Sequence, residues 1–141
     1  MFKKILLPVD LEHPVAAPRA CVDAEMIADK FGAALHVMTV MPGFSMPMVA
    51  SYFPPDAKKK AKAEVEARLA AFVDKNISRK VTTSVSEGKS WREIIKAAKR
   101  RKVDLIIIPH RMHSKADEIL LGSCAERVAD RAPCSVLITR N

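Results

Sequence analysis

Between Val103 and Arg140 the chain runs from Leu105-Ile106-Ile107-Ile108 through a polar stretch, Pro109 to Glu118. It then passes Leu120-Leu121-Gly122-Ser123 and ends on Val136-Leu137-Ile138. Read locally, this is strand, loop, helix and strand, with Gly122-Ser123 where the helix begins. Neither apolar run alternates in and out, the pattern of strands covered on both faces. A buried parallel strand feeding a helix N-terminus is where α/β proteins hold anions. The first helical amides there are unpaired, and the helix dipole favours negative charge.

Working outward, the same rhythm fills the chain. Strands are predicted over Lys3–Val9, Ala34–Val40, Val81–Ser86, Asp104–Ile108 and Ser135–Thr139. Between them lie helical stripes. Ala17, Cys21, Ala24, Ala28 and Phe31 share one face, and Gly32 supplies a stop. Ala61, Val65, Leu69, Phe72 and Val73 mark a second helix, and Trp91, Ile94, Ile95 and Ala98 a third. Ala125, Val128, Ala129 and Ala132 mark the last. Ser90 with Glu93, and Ser123 with Glu126, have the spacing of capping boxes. This order predicts an α/β fold: a three-layer sandwich around a doubly wound, five-stranded parallel sheet with right-handed crossovers. A length of 141 residues fits one domain spanning 1–141. The segment from Met41 to Pro55 breaks the rhythm, with five prolines and glycines among methionines and Tyr52-Phe53. It reads either as a surface loop packed on itself or as a lid or partner-docking loop.

Composition narrows the function classes. The chain is 49% hydrophobic and 28% charged, an ordinary globular balance. No apolar run approaches the ~18 residues needed to span a bilayer. The apolar start, Ile5-Leu6-Leu7-Pro8-Val9, stops at Asp10, too short for a signal-peptide core. Cys21, Cys124 and Cys134 are an odd count without a CxxC pair, which fits a reducing cytoplasm and neither a disulfide framework nor a zinc site. The net charge of +8 gathers at Lys58-Lys59-Lys60, Lys62, Lys96 and Lys99 to Lys102. No aromatic residue interleaves with these for base stacking, so they read as solvated helix faces; neither nucleic acid nor a membrane is expected as partner.

In a doubly wound sheet the ligand crevice lies beyond the strand C-termini where the strand order reverses. With the first strand central, Pro8-Val9-Asp10 and the loop after the fourth strand line it. Asp10 can then accept hydrogen bonds from ligand hydroxyls, or cap the following helix. Ser123 poses the same choice between capping a helix and meeting a phosphate.

The chain resembles the universal stress proteins in Lys4-Ile5-Leu6-Leu7-Pro8-Val9-Asp10, Gly32-Ala33-Ala34-Leu35-His36-Val37 and Asp104-Leu105-Ile106-Ile107. It does so again in Leu120 to Val128 and in Ala132-Pro133-Cys134-Ser135-Val136-Leu137. The resemblance implies an adenine-nucleotide α-hydrolase-like domain, usually a homodimer, with slow ATP hydrolysis at most. ATP-binding members carry Gly-x-x-Gly, a spacer of nine residues, then Gly-Ser or Gly-Thr. Here Gly122-Ser123 matches the end, with Cys124 following, while the two glycine positions hold Pro109 and Met112. Proline has no N–H for a phosphate and fixes φ; Met112 fills space that backbone approach requires. The adenosine half, resting on Pro8, Val9, Asp10 and Val40, is less affected. Arg111 and Lys115, the intervening cations, can engage phosphates by side chain. The expected cofactor is therefore ATP or AMP on a degenerate phosphate loop, with no metal beyond the Mg accompanying a nucleotide.

Other chemistry is poorly supported. His110 and His113, with Asp117 nearby, have chelating spacing but lack an evident third ligand. His36, inside a strand, reads as a packed core histidine. No GxSxG, HExxH or Walker A pattern occurs, so no efficient enzyme is expected. Two readings remain: a regulatory nucleotide-binding domain reporting to an unknown protein partner, or a member acting purely through protein–protein interaction. In either, Ser135–Thr139 is a natural sheet edge that a second copy can pair, making a homodimer.

Overall fold

A computed structural model of the chain describes residues 1–41, 54–110 and 122–140. Among them, five strands alternate with four α-helices. These are β1 (Lys4–Pro8), α1 (Ala17–Phe31), β2 (Ala34–Met41), α2 (Ala57–Asn76) and β3 (Thr82–Glu87). There follow α3 (Ser90–Arg101), β4 (Leu105–Pro109), α4 (Ser123–Arg131) and β5 (Ser135–Thr139). All strand pairs are parallel, in the order β3-β2-β1-β4-β5. β1 is thus central, and the chain winds one way to β3 before returning to the other side for β4 and β5.

A strand's period of two explains how continuous apolar runs build this sheet. Ile5, Leu7, Leu105 and Ile107 enter one core with residues of α1 and α2. Leu6, Ile106 and Ile108 enter the other with residues of α3 and α4. α1 buries Ala17, Ala20, Cys21, Ala24 and Ala28, small side chains that let its backbone lie close to the sheet. It stops at Gly32, whose left-handed φ of 64° suits glycine. Its last residue, Phe31, expected in the core, is 41% exposed. No further turn covers it, and its ring meets Phe2 edge-on at 5.4 Å. In α2 only Leu69 and Val73 are buried, while Lys58, Lys59, Lys60 and Lys62 face solvent.

Neither expected capping box forms. The N-cap residues of α3 and α4 are Lys89 and Gly122, which hold the extended conformation that position needs. Ser90 and Ser123 are already helical, one residue too late, and neither end has a side-chain cap. Glu93 instead pairs with Lys96 at 3.4 Å.

His36 is buried within the sheet, as expected of a strand histidine. Its Nδ1 lies 2.6 Å from the Thr82 hydroxyl and its Nε2 2.8 Å from that of Ser84, tying β2 to β3. None of the three cysteines forms a disulfide. Burial, then Glu25, pushes the Cys21 thiol up to about 11, and burial, then Asp104, raises that of Cys134. Neither is a poised nucleophile. Among the described residues, no helix is long and apolar enough to cross a membrane.

Candidate functional site

The strand order reverses between β1 and β4, and a cleft opens beyond their C-terminal ends. The local fold fixes its rim. Val9 N–H donates to Met38 O at 2.8 Å, and the Thr39 hydroxyl donates to Val9 O at 2.8 Å. The next residue, Asp10, is held where β1 leaves the sheet. Its Oδ1 accepts the Glu12 N–H at 3.0 Å, and its Oδ2 lies 3.4 Å from His13 Nδ1. Asp10 therefore closes an Asx turn. It does not cap the following helix, which starts at Ala17 with Ala16 at its N-cap.

The cleft has a volume of about 220 Å³. Val9, Val40, Ile94 and Ile108 supply apolar walls, and Asp10 a carboxylate at the mouth. Pro109, at the end of β4, lines it with a nitrogen that carries no hydrogen. The start of α4 contributes Gly122, Cys124 and Ala125. Glycine at 122 is not demanded by backbone strain, its φ being −60°.

Of the residues singled out from the sequence, Pro8, Val9, Asp10, Val40, Pro109, Gly122 and Cys124 meet in this cleft. Ser123 is exposed and lies outside the lining. Arg111, Met112 and Lys115 lie outside the described residues, as do His113, Asp117 and 42–53 of the proline-rich segment. His110, in the polar stretch that follows the fourth strand, is only 2% exposed. Its N–H donates to Thr139 O at 2.8 Å, continuing the β4–β5 ladder. Among the described residues, no three His, Cys, Asp or Glu side chains cluster to hold a metal.

Sequence reading missed Ala17, Ser90, Ile94, Ile108 and Ala125, which also line the cleft. Ser90 opens α3 and Gly122 stands at the N-cap of α4, so two helix N-termini reach the cleft, neither capped by a side chain; Ala17 follows a 3-10 turn over Pro14–Ala16, and its N–H donates to Pro14 O. Each helix end carries roughly half a positive charge. The signal was available: helices that follow strand C-termini in a doubly wound sheet begin on the ligand side. The arrangement can hold a small molecule with a flat apolar part, hydroxyl groups for Asp10 and a negative charge near the helix ends.

Comparison with known proteins points the same way. The sequence matches the Universal stress protein family over residues 1–140. A universal stress protein of Methanocaldococcus jannaschii is 29% identical over 143 aligned positions, covering 99% of this chain and 83% of the relative. The universal stress protein UspA from Lactobacillus plantarum superposes with a TM-score of 0.72 at 25% identity, over 99% of this chain and 98% of that one. A universal stress protein in complex with cAMP shares the fold, with a TM-score of 0.62 at 22% identity over 99% and 97%. The fold is that of the adenine-nucleotide α-hydrolase-like group. With the sequence match running almost end to end and the sheet order, cleft and neighbours in agreement, the chain belongs to the universal stress protein family.

Proposed function

We propose that this protein is a regulatory domain that holds an adenine nucleotide, AMP or ATP, in the β1–β4 cleft and grips its outer phosphates weakly. One observation carries the reading: apolar walls, the Asp10 carboxylate and the N-termini of α3 and α4, without side-chain caps, converge where the strand order reverses. The residues fit the nucleotide's inner half. Val9, Val40, Ile94 and Ile108 would enclose the base, Asp10 would accept from ribose hydroxyls, and the first amides of α4 would meet the α-phosphate. The neighbour solved with cAMP supports an adenine ligand with a single phosphate.

Beyond that phosphate the family's glycine motif is degenerate. Pro109 offers no donor, and the second glycine position holds Met112. Arg111 and Lys115 would replace backbone donors with flexible cations. Restoring the motif with Pro109→Gly and Met112→Gly is expected to tighten ATP roughly tenfold or more, about the worth of one hydrogen bond to a charged group. AMP affinity should stay unchanged. Calorimetric titration of both nucleotides checks this; equal gains for ATP and AMP would place the outer phosphates elsewhere.

For the assembly, we propose a homodimer through β5. The sheet has two edges with different chemistry. β3 presents Thr82, Thr83, Ser84 and Ser86, polar side chains that blunt an edge, whereas β5 presents Val136, Leu137 and Ile138. Leu137 is 38% exposed. Antiparallel pairing of β5 with its copy would satisfy the edge amides and cover this residue. Light scattering at micromolar concentration should give a dimer, and Leu137→Lys a monomer. A monomeric wild type would contradict the proposal.

A further inference from the structure

A second cavity, of about 400 Å³, lies at the opposite end of the sheet from the cleft. It is open to solvent and lined by the starts of β1 and β2, by Thr82 and by the end of α3. Lys4, Arg100, Arg101 and Lys102 line it, and among the described lining residues there is no carboxylate. Asp104, which follows the lining residue Val103 in sequence, accepts Lys3 N–H at 2.8 Å and Lys4 N–H at 3.1 Å. Elsewhere on the surface, Lys58, Arg68, Arg79 and Lys96 each have an acidic partner within 3.4 Å. None of the four cavity cations has one among the described residues.

Two details separate this cluster from cations that merely complement a helix C-terminus. Arg101 Nε is buried and has no hydrogen-bond partner among the described residues. Leaving such a donor unpaired is costly, so Arg101 stands at the cavity wall with hydrogen-bonding capacity unmet among the described residues. Lys102 holds a left-handed φ of 54° at the helix C-cap, where glycine is the usual choice, so the chain keeps a charge at a strained position. His36, on the same wall, has both ring nitrogens occupied by hydroxyls and adds no negative charge.

We propose that this cavity binds a small phosphorylated anion, with Arg101 donating from its guanidinium and Lys4, Arg100 and Lys102 completing the charge. Planar guanidinium donors suit phosphate oxygens, and a space of this size admits a diphosphate group. The site is independent of the nucleotide cleft.

Calorimetry of the full chain with pyrophosphate, at fixed ionic strength in sodium chloride, tests it. Saturable one-to-one binding is expected, weakened roughly tenfold or more by Arg101→Gln. Lys102→Gly should also weaken binding while raising Tm, because glycine relieves the left-handed position; damage to the fold then cannot explain the loss. His36 ring resonances should shift on titration. AMP binding by both variants should match wild type, so failure here is distinct from failure of the nucleotide reading. Absent saturation, or pyrophosphate affinity unmoved by both substitutions, would overturn the proposal.

Discussion

Asp10→Ala is expected to raise the dissociation constant for AMP by about ten- to a hundredfold, the worth of hydrogen bonds to a carboxylate. The effect arises because Asp10 leaves the central strand at the reversal point, with its backbone fixed by the Val9–Met38 and Thr39–Val9 hydrogen bonds. Its carboxylate stands at the mouth of a largely apolar pocket, the one carboxylate among the described lining residues. Alanine also removes the acceptor of the Glu12 N–H, so the turn must be controlled for. Asp10→Asn does this: its amide oxygen keeps the turn, while the loss of charge weakens the ribose contact. Calorimetry should therefore order the affinities as wild type, then asparagine, then alanine. Tm should move little, since the turn is at the surface. Equal affinity in all three would remove Asp10 from the site.

The largest effect on stability is expected at His36. In the unfolded chain its imidazole protonates near 6.5; in the fold burial, and then Arg101 and Arg100, push that down to about 4. Above pH 6.5 both states are neutral here, and the contribution to stability is fully present. As pH falls from 6.5 towards 4, the unfolded state takes up a proton that the native state refuses. Stability then drops by up to ~1.4 kcal/mol per pH unit, about 3 kcal/mol in all once pH is below 4. Urea denaturation of wild type and His36→Gln at pH 7 and pH 4.5 isolates this residue, since other acid-sensitive groups are common to both. Wild type should lose its advantage over the variant at the lower pH. A stability difference independent of pH would contradict the assignment.

Much of this architecture was legible from residue pattern. Leu105 to Ile108 and Ile5 to Leu7 could be read as doubly covered strands because both of their faces are apolar. With β1 taken as the central strand, this pointed to Pro8, Val9, Asp10 and Pro109 as cleft residues. Helix ends were harder. Ser90 and Ser123 have the composition of caps, yet cap geometry depends on backbone angles, and Lys89 and Gly122 took the extended position. Phe31 had helical spacing but not cover, which spacing cannot report. Ser90 and Ile94 gave no local sign of lining the cleft. They reach it only because α3 crosses from the edge strand β3 back over the sheet to β4, a property of topology. The cavity at the opposite end was hidden for the same reason: Lys4 and Arg101 are far apart in sequence and meet where Lys4 Nζ donates to Arg101 O at 3.4 Å.

The central claim is that the cleft recognises adenosine and the first phosphate and gains almost nothing from the rest. Titrating the wild-type protein with adenosine, AMP and ATP in one calorimetric series tests it most directly. AMP should bind about tenfold more tightly than adenosine through the start of α4, and ATP within about threefold of AMP. ATP binding roughly a hundredfold or more tightly than AMP, or no binding by any of the three, would contradict the account.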